Sequence, residues 1–171
     1  MKKLKPYVLE FKKKNYDHFD EFYEMTKKQL FFIIIQIIKD EDLTNDLMQE
    51  TYLKFLKSID QVKVNQNISA YLSMIARNLA IDLYRKRKKE IVADDLIANL
   101  PDDQVPYENN EDIFKILDHL EEDEREIVIL HVLNDLKFRE IADIIEKPLG
   151  TVLWIYQKAI KKLKGKIGDY L

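Results

Sequence analysis

Five consecutive cations, Arg85-Lys86-Arg87-Lys88-Lys89, are the densest chemistry in this 171-residue sequence. Guanidinium and ammonium groups packed this closely neutralise phosphates and release condensed counterions. A solvated charge run at a helix C-terminus, favoured by the helix dipole, has the same composition. What precedes the run therefore matters. Over residues 67–89 the apolar positions Tyr71, Leu72, Ile75, Ala76, Leu79 and Leu83 recur at i, i+3, i+4, i+7, one face of a helix. Asn67 is a good N-cap, and no Gly or Pro interrupts the run. Arg77, Asn78 and Asp82 fall on the other face. The pattern is a rigid rod with one stripe to bury and a cationic end to project.

A second constellation lies near the C-terminus. Residues 138–145 (FREIADII) form a short helical pattern, Glu146-Lys147-Pro148 a turn, and residues 150–164 a longer helical pattern. Ile141, Ala142 and Ile145 before the turn face Val152, Ile155, Ala159 and Leu163 after it. A small residue such as Ala142 lets two helices cross steeply, which is helix-turn-helix geometry. A plain αα-hairpin shares the same apolar set. The second helix leaves Thr151, Leu153, Trp154, Gln157, Lys158 and Lys161 for a partner.

Other chemistries find little support. With no Cys there is no thiolate catalysis and no zinc–thiolate site, and the composition fits a reducing cytoplasm. The three His are scattered, so neither metal nor cofactor is expected. A metal-dependent helical hydrolase would need paired carboxylates. The trio Asp40-Glu41-Asp42 is better explained as favourable charge at a helix start. Lys2, Lys3 and Lys5 lead into polar sequence rather than a signal-peptide core. The apolar run 30–38 is far short of the ~20 residues a membrane span needs.

The elements that must position these groups are helical. Only 3 Gly and 4 Pro argue against a many-turned sheet, so the expected fold is all-α, two small helical domains joined by an acidic linker. Tyr16, Phe19, Phe22 and Tyr23 have helical spacing and suit a core; residues 29–38 are apolar all round, as in a helix central to a bundle. Helix 43–58 buries Leu47, Tyr52 or Leu53, Phe55 and Leu56, and leaves Asp46, Gln49, Glu50 and Lys54 on an outward polar face. Residues 60–67 form a polar loop. Residues 90–110 carry Pro101 and Pro106 without periodicity. Helical patterns then resume over 112–120 and 123–133. The domains are thus 1–90 and 111–171, with 91–110 between them. Charge follows the same division. Residues 1–90 hold 18 Lys and Arg against 13 Asp and Glu, residues 91–112 hold seven acids and no bases, and from Lys147 onward six Lys face one acid. A linker of ~20 residues can extend to roughly 70 Å, about two duplex turns of ~35 Å.

With both constellations placed, the sequence resembles the bacterial RNA polymerase sigma factors of the extracytoplasmic-function branch. NDLMQETYLKFLKSID and ISAYLSMIARNLAIDLYRKRKKE are similar to their region two, and LEEDEREIVILHVLNDLKFREIADIIEKPLGTVLWIYQKAIKKLK to their region four. The resemblance implies a promoter-specificity subunit, not an enzyme, with no cofactor and no small-molecule substrate. Such a subunit would bind core polymerase and promoter DNA, as a monomer within the polymerase, and an anti-sigma factor is a further implied partner. Asp46, Gln49, Glu50 and Lys54 would then dock on the polymerase clamp helices. Val62, Lys63 and Asn65 would receive a base flipped from the minus-ten element, at a cost of a few kcal/mol of unstacking. Arg77, Asn78, Arg85, Lys86, Arg87 and Lys88 would hold the non-template strand and upstream phosphates. Arg139, Thr151, Leu153, Trp154, Gln157, Lys158 and Lys161 would meet the minus-thirty-five element.

The sequence departs from the family pattern in three places. Many members have an aromatic near Val62 and a Gly where Glu146 stands, and a Lys or Arg where Leu153 follows the GTV. Leu153 and Trp154 have no bidentate donors for guanine, so an A/T-leaning upstream element is expected. The principal alternative is an ordinary helix-turn-helix regulator, dimeric on paired half-sites and independent of polymerase.

Overall fold

A computed structural model of the protein describes residues 4–93 and 111–167, all of whose regular elements are helices. The chain divides into two units, Met1–Gln104 and Val105–Leu171.

The first unit contains α1 (Lys5–Lys12), α2 (Phe19–Ile38), α3 (Glu41–Lys57) and α4 (Ile68–Ala93). α2 joins the aromatic N-terminal stretch and the all-apolar run into one helix. It buries Phe22, Leu30 and every residue from Phe32 to Ile35, as the apolar pattern requires of a central helix. α3 and α4 pack on it. The core's aromatic centre is Phe22, stacked on Phe55 at 5.4 Å and met edge-on by Phe11 of α1 at 5.2 Å. Of the expected aromatic set, Phe22 is buried, Phe19 and Tyr23 are half-buried, and Tyr16 is exposed.

Local chemistry fixes where helices begin. The Asp40 carboxylate accepts from the Leu43 amide at 3.0 Å, and Asn67 Oδ1 accepts from the Ala70 amide at 3.3 Å, so both N-termini have side-chain caps. In α3 the choice between Tyr52 and Leu53 falls to Tyr52: its hydroxyl is 2.8 Å from that of Thr26 inside the core, and burial pushes its phenol pKa up. Leu53 is 57% exposed and Leu56 half-buried. α4 runs to Ala93, taking in the first three residues of the expected linker. The remainder of that stretch, 94–110, lies outside the described residues.

The second unit contains α5 (Glu111–Leu117), α6 (Glu122–Val128), α7 (Phe138–Ile145) and α8 (Leu149–Ile167). α6 continues as a wider π turn through Ile129–Leu133, where i→i+5 bonding replaces the α pattern. Ile141, Ala142, Ile145, Val152, Ile155 and Ala159 are buried, as their spacing predicts, whereas Leu163, expected on the same face, is half-buried; Ile127 and Leu130 are buried as well. His131 on the π turn stacks on Phe138 at 4.1 Å and meets Tyr156 edge-on at 4.9 Å. Its Nδ1 donates to the Leu136 carbonyl at 2.8 Å, which assigns the proton to that nitrogen. One imidazole thus joins α6, α7 and α8.

Candidate nucleic-acid interface

On α3 the residues needed inside and those left outside separate cleanly. Leu47, Met48, Thr51, Tyr52 and Phe55 are buried, whereas Asp46, Gln49, Glu50 and Lys54 are exposed with Leu53 among them. Lys54 Nζ is 3.4 Å from Glu50 Oε1. An exposed i,i+4 pair of this kind adds only tenths of a kcal/mol and is easily exchanged for a partner's groups. The face is polar at its edges with an apolar side chain in its middle, a composition common to protein interfaces.

Between α3 and α4 a short 3₁₀ turn, Ile59–Gln61, opens the loop that leads to Asn67. Ile59 and Val62 pin it to the core. Val62 is 2% exposed, and this corrects one expectation: its side chain belongs to the core, and of the three loop residues only Lys63 and Asn65 present side chains to solvent. A branched aliphatic side chain at the loop's entry gains more by burial than by meeting a base. The loop is braced from both sides. Tyr71 donates to Ser58 Oγ at 3.1 Å, and the Lys63 amide meets Gln66 Oε1 at 3.4 Å. From α1 and the residues after it, Lys12 Nζ donates to the Asp60 carbonyl at 3.1 Å and Lys14 Nζ to its carboxylate at 3.2 Å. The sequence did not reveal this brace, since nothing in a Lys-rich run 46 residues upstream marks Asp60 as its partner.

α4 starts immediately after that loop. Leu72, Ala76 and Leu79 turn inward, Ile75 and Leu83 are half-buried, and Ser69 donates to Gln29 of α2 at 2.9 Å. Asn78 is exposed and Arg77 half-buried. Beyond the packed part, Arg85, Lys86, Lys88 and Lys89 are exposed and Arg87 half-buried, so the loop and the cationic rod end belong to one helix and its entry.

In the second unit the turn between α7 and α8 is made by Glu146, at φ 55° and ψ 40°, the left-handed region a Gly would occupy without strain. From α8, Thr151, Leu153, Trp154, Gln157, Lys158 and Lys161 are all exposed, Trp154 at 62%; Arg139 on α7 is exposed as well. Lys158 Nζ lies 5.6 Å from the centre of the Trp154 ring, a cation–π contact.

Glu124, in the first turn of α6, was not anticipated as part of this surface. It is 1% exposed, yet it is charged. Its Oε2 accepts from the Glu121 amide at 3.0 Å and from Lys162 Nζ at 2.7 Å; Lys158 Nζ is 3.1 Å from Oε1. Burial pushes this carboxyl pKa up, but Lys162, the Glu121 amide and Lys158 outweigh it and hold the pKa below the ordinary value. The signal that could have found Glu124 is the E-x-x-E spacing from Glu121, a capping arrangement that turns the second carboxylate back toward the helix start. Among the described residues, no group of three or more His, Cys, Asp or Glu could hold a metal ion.

Two family models match the chain, Sigma-70 region 2 over residues 22–90 and Sigma-70, region 4 over residues 110–163. The ECF RNA polymerase sigma factor SigM of Bacillus subtilis (strain 168) is 32% identical over 156 residues, covering 84% of this chain and 93% of that protein. The chain belongs to the extracytoplasmic-function sigma factors. The RNA polymerase sigma factor SigV of the same organism is 29% identical over 139 residues, covering 81% and 84%. In fold, this sigma factor is similar to the sigma factor RpoE solved with the anti-sigma factor NepR from Bartonella quintana. The TM-score is 0.68 at 24% identity, covering 88% of this chain and 96% of that one. It is also similar to CnrH, solved with the cytosolic domain of CnrY, with TM-score 0.66 at 17% identity over 96% and 97%. Membership makes it a promoter-specificity factor and not an enzyme, one that binds core RNA polymerase and promoter DNA to initiate transcription. The dimeric regulator and the hydrolase are thereby set aside. The matched region-two segment begins at residue 22, so α1 and its lysine brace lie outside it.

Proposed function

We propose that the two units divide promoter recognition as follows. The α3 face of Asp46, Gln49, Glu50 and Lys54, with Leu53 at its centre, docks on core polymerase. The rim charges exclude wrong partners, and the exposed Leu53, buried on docking, supplies affinity. The loop side chains Lys63 and Asn65, with Arg77 and Asn78 on the adjoining helix, contact the melted minus-ten strand. Val62 serves there as the loop's core anchor. Arg85, Lys86, Arg87 and Lys88 hold upstream phosphates and supply salt-sensitive affinity without sequence information. α8 enters the major groove of the minus-thirty-five element with Thr151, Leu153, Trp154 and Gln157 toward base edges, and Arg139 and Lys161 toward the backbone. The 91–110 segment is a negatively charged tether between the two.

The observation that carries this assignment is the juxtaposition in the first unit. One helix within the matched region-two segment buries its apolar half in the bundle and leaves Asp46, Gln49, Glu50 and Lys54 exposed, and the loop and the helix with the cationic end follow it in sequence. By analogy with the RpoE–NepR complex, an anti-sigma factor is a further partner. No described helix is long and apolar enough to cross a membrane, and a bacterial cytoplasmic location is the setting this function requires. In the polymerase complex the factor acts as a monomer.

The test is co-elution with core polymerase. Asp46→Lys combined with Glu50→Lys is expected to abolish co-elution while the protein's thermal melt is unchanged, since both side chains are exposed. Undiminished co-elution would remove α3 from the interface.

A further inference from the structure

The basic surface from Lys147 onward is less available to phosphates than its composition implies. Lys147 pairs with Asp123, Lys158 with Glu124, and Lys162 with both Glu124 and, at 3.8 Å, Glu121. All three acceptors lie in Glu121–Glu124, the N-cap and first turn of α6. At about 100° per residue, positions 154, 158 and 162 form one ridge of α8, and the ridge's lower two members lean onto that turn. Lys161 and Gln157 centre the outward side, and Lys161 has no ion pair among the described residues. The tether differs from a surface salt bridge because Glu124 is buried, fixed by a backbone amide, and shared by two ammonium groups. Removing its charge would free Lys158 and leave Lys162 only the 3.8 Å contact to Glu121.

We propose that Glu124 is a specificity-determining positioning residue of the DNA-reading helix: it holds Lys158 and Lys162 away from phosphates, so that α8 discriminates through its uncharged edge. The inference rests on the placement of α8 in the groove, and it restricts that placement, since Lys158 is then a support rather than a backbone contact. Each lysine withheld removes one unit of sequence-blind attraction from every site, right or wrong. It also keeps the Lys158 ammonium over the Trp154 ring, fixing an exposed indole that would otherwise sample several rotamers. Discrimination improves because base-edge contacts fix the register of α8 at the correct site, whereas on a scrambled site freed lysines could settle in whichever register pairs best with phosphates, so withholding them costs the scrambled site more.

The salt dependence of binding tests this. Fluorescence anisotropy of the protein assembled with core polymerase is measured over a salt series on two labelled duplexes, one carrying the upstream element selected by the wild-type complex and one scrambled. Glu124→Gln is expected to steepen the slope of log K against log[salt] by about 0.9 for each lysine freed. It should also tighten binding to the scrambled duplex more than to the selected one. Lys158→Met in the otherwise wild-type chain is expected to leave the slope unchanged, whereas Lys161→Met lowers it by about 0.9. An unchanged or shallower slope in Glu124→Gln overturns the inference, as does a slope loss in Lys158→Met. Should Glu124→Gln lose its cooperative melt, the Lys158→Met and Lys162→Met slopes alone decide the matter. If Lys161→Met and Thr151→Ala change nothing on either duplex, it is the groove placement of α8 that fails.

Discussion

Glu146 shows how a single residue departs from its family at a cost that can be measured. A non-Gly residue at φ 55° costs about 1 kcal/mol, while a Gly there loses more backbone entropy on folding and returns part of that gain. Glu146→Gly is therefore expected to raise the unfolding free energy of the second unit by a few tenths of a kcal/mol to about 1 kcal/mol, measured by urea titration. A loss of stability would mean that the Glu side chain makes a contribution of its own. Trp154 is a different case, because its exposure gives it little part in the core. Trp154→Ala is expected to leave the melting temperature within a degree or so and to alter the upstream sequence recovered by selection with the polymerase complex. The wild-type selection should lean to A/T, because neither Leu153 nor Trp154 can donate paired hydrogen bonds to guanine. A G-rich upstream element would contradict that account. In the first unit, Phe22→Ala removes the ring on which Phe11 and Phe55 pack, and should cost about 3–5 kcal/mol.

Most of the helices were legible because their apolar residues recur with a period near 3.6 and because Asp40 and Asn67 are competent caps. The helix-turn-helix was legible for the same reason, down to the bounds of α7. Besides the lysine brace on Asp60, three features were not. The π turn Ile129–Leu133 leaves no mark in a pattern of alternating large aliphatics, since one extra residue per turn keeps the run apolar. Val62 looked available because the loop around it is polar, yet its neighbours Ile59 and Ile68 flank the same core. Glu124 stands in a run of acids, Glu121–Glu124, in which nothing marks it out. Its partners are 34 and 38 residues downstream, and pairwise charge matching at that distance cannot be read from a single sequence. The Glu124 tether makes a prediction at this scale. Its folded pKa is held below the unfolded value, so its contribution to stability is present above the ordinary glutamate value of 4.5 and is lost as pH falls through the lower folded value. Thermal melts of the wild-type protein should therefore show the second unit weakening over that acid range. Glu124→Gln should be less stable at neutral pH and flatter across it. Parallel profiles for the two proteins would show that the lysines do not stabilise the charged form.

At the scale of the whole molecule the arrangement of charge matters more than its sum. A net charge of −3 conceals a basic stretch over residues 1–90, an acidic segment and a cationic C-terminal helix. The central claim is that these parts act only together with polymerase: α3 captures core enzyme, the loop and α4 meet the melted strand, and α8 meets the duplex upstream. In-vitro transcription with purified core polymerase, followed by mapping of the start sites, tests this most directly. The account predicts transcripts from defined starts that require the protein, disappear with the Asp46→Lys, Glu50→Lys pair, and have an A/T-leaning element upstream. Protein-dependent transcripts that survive that pair, or tight symmetric binding of duplex DNA without polymerase and no defined start with it, would contradict it.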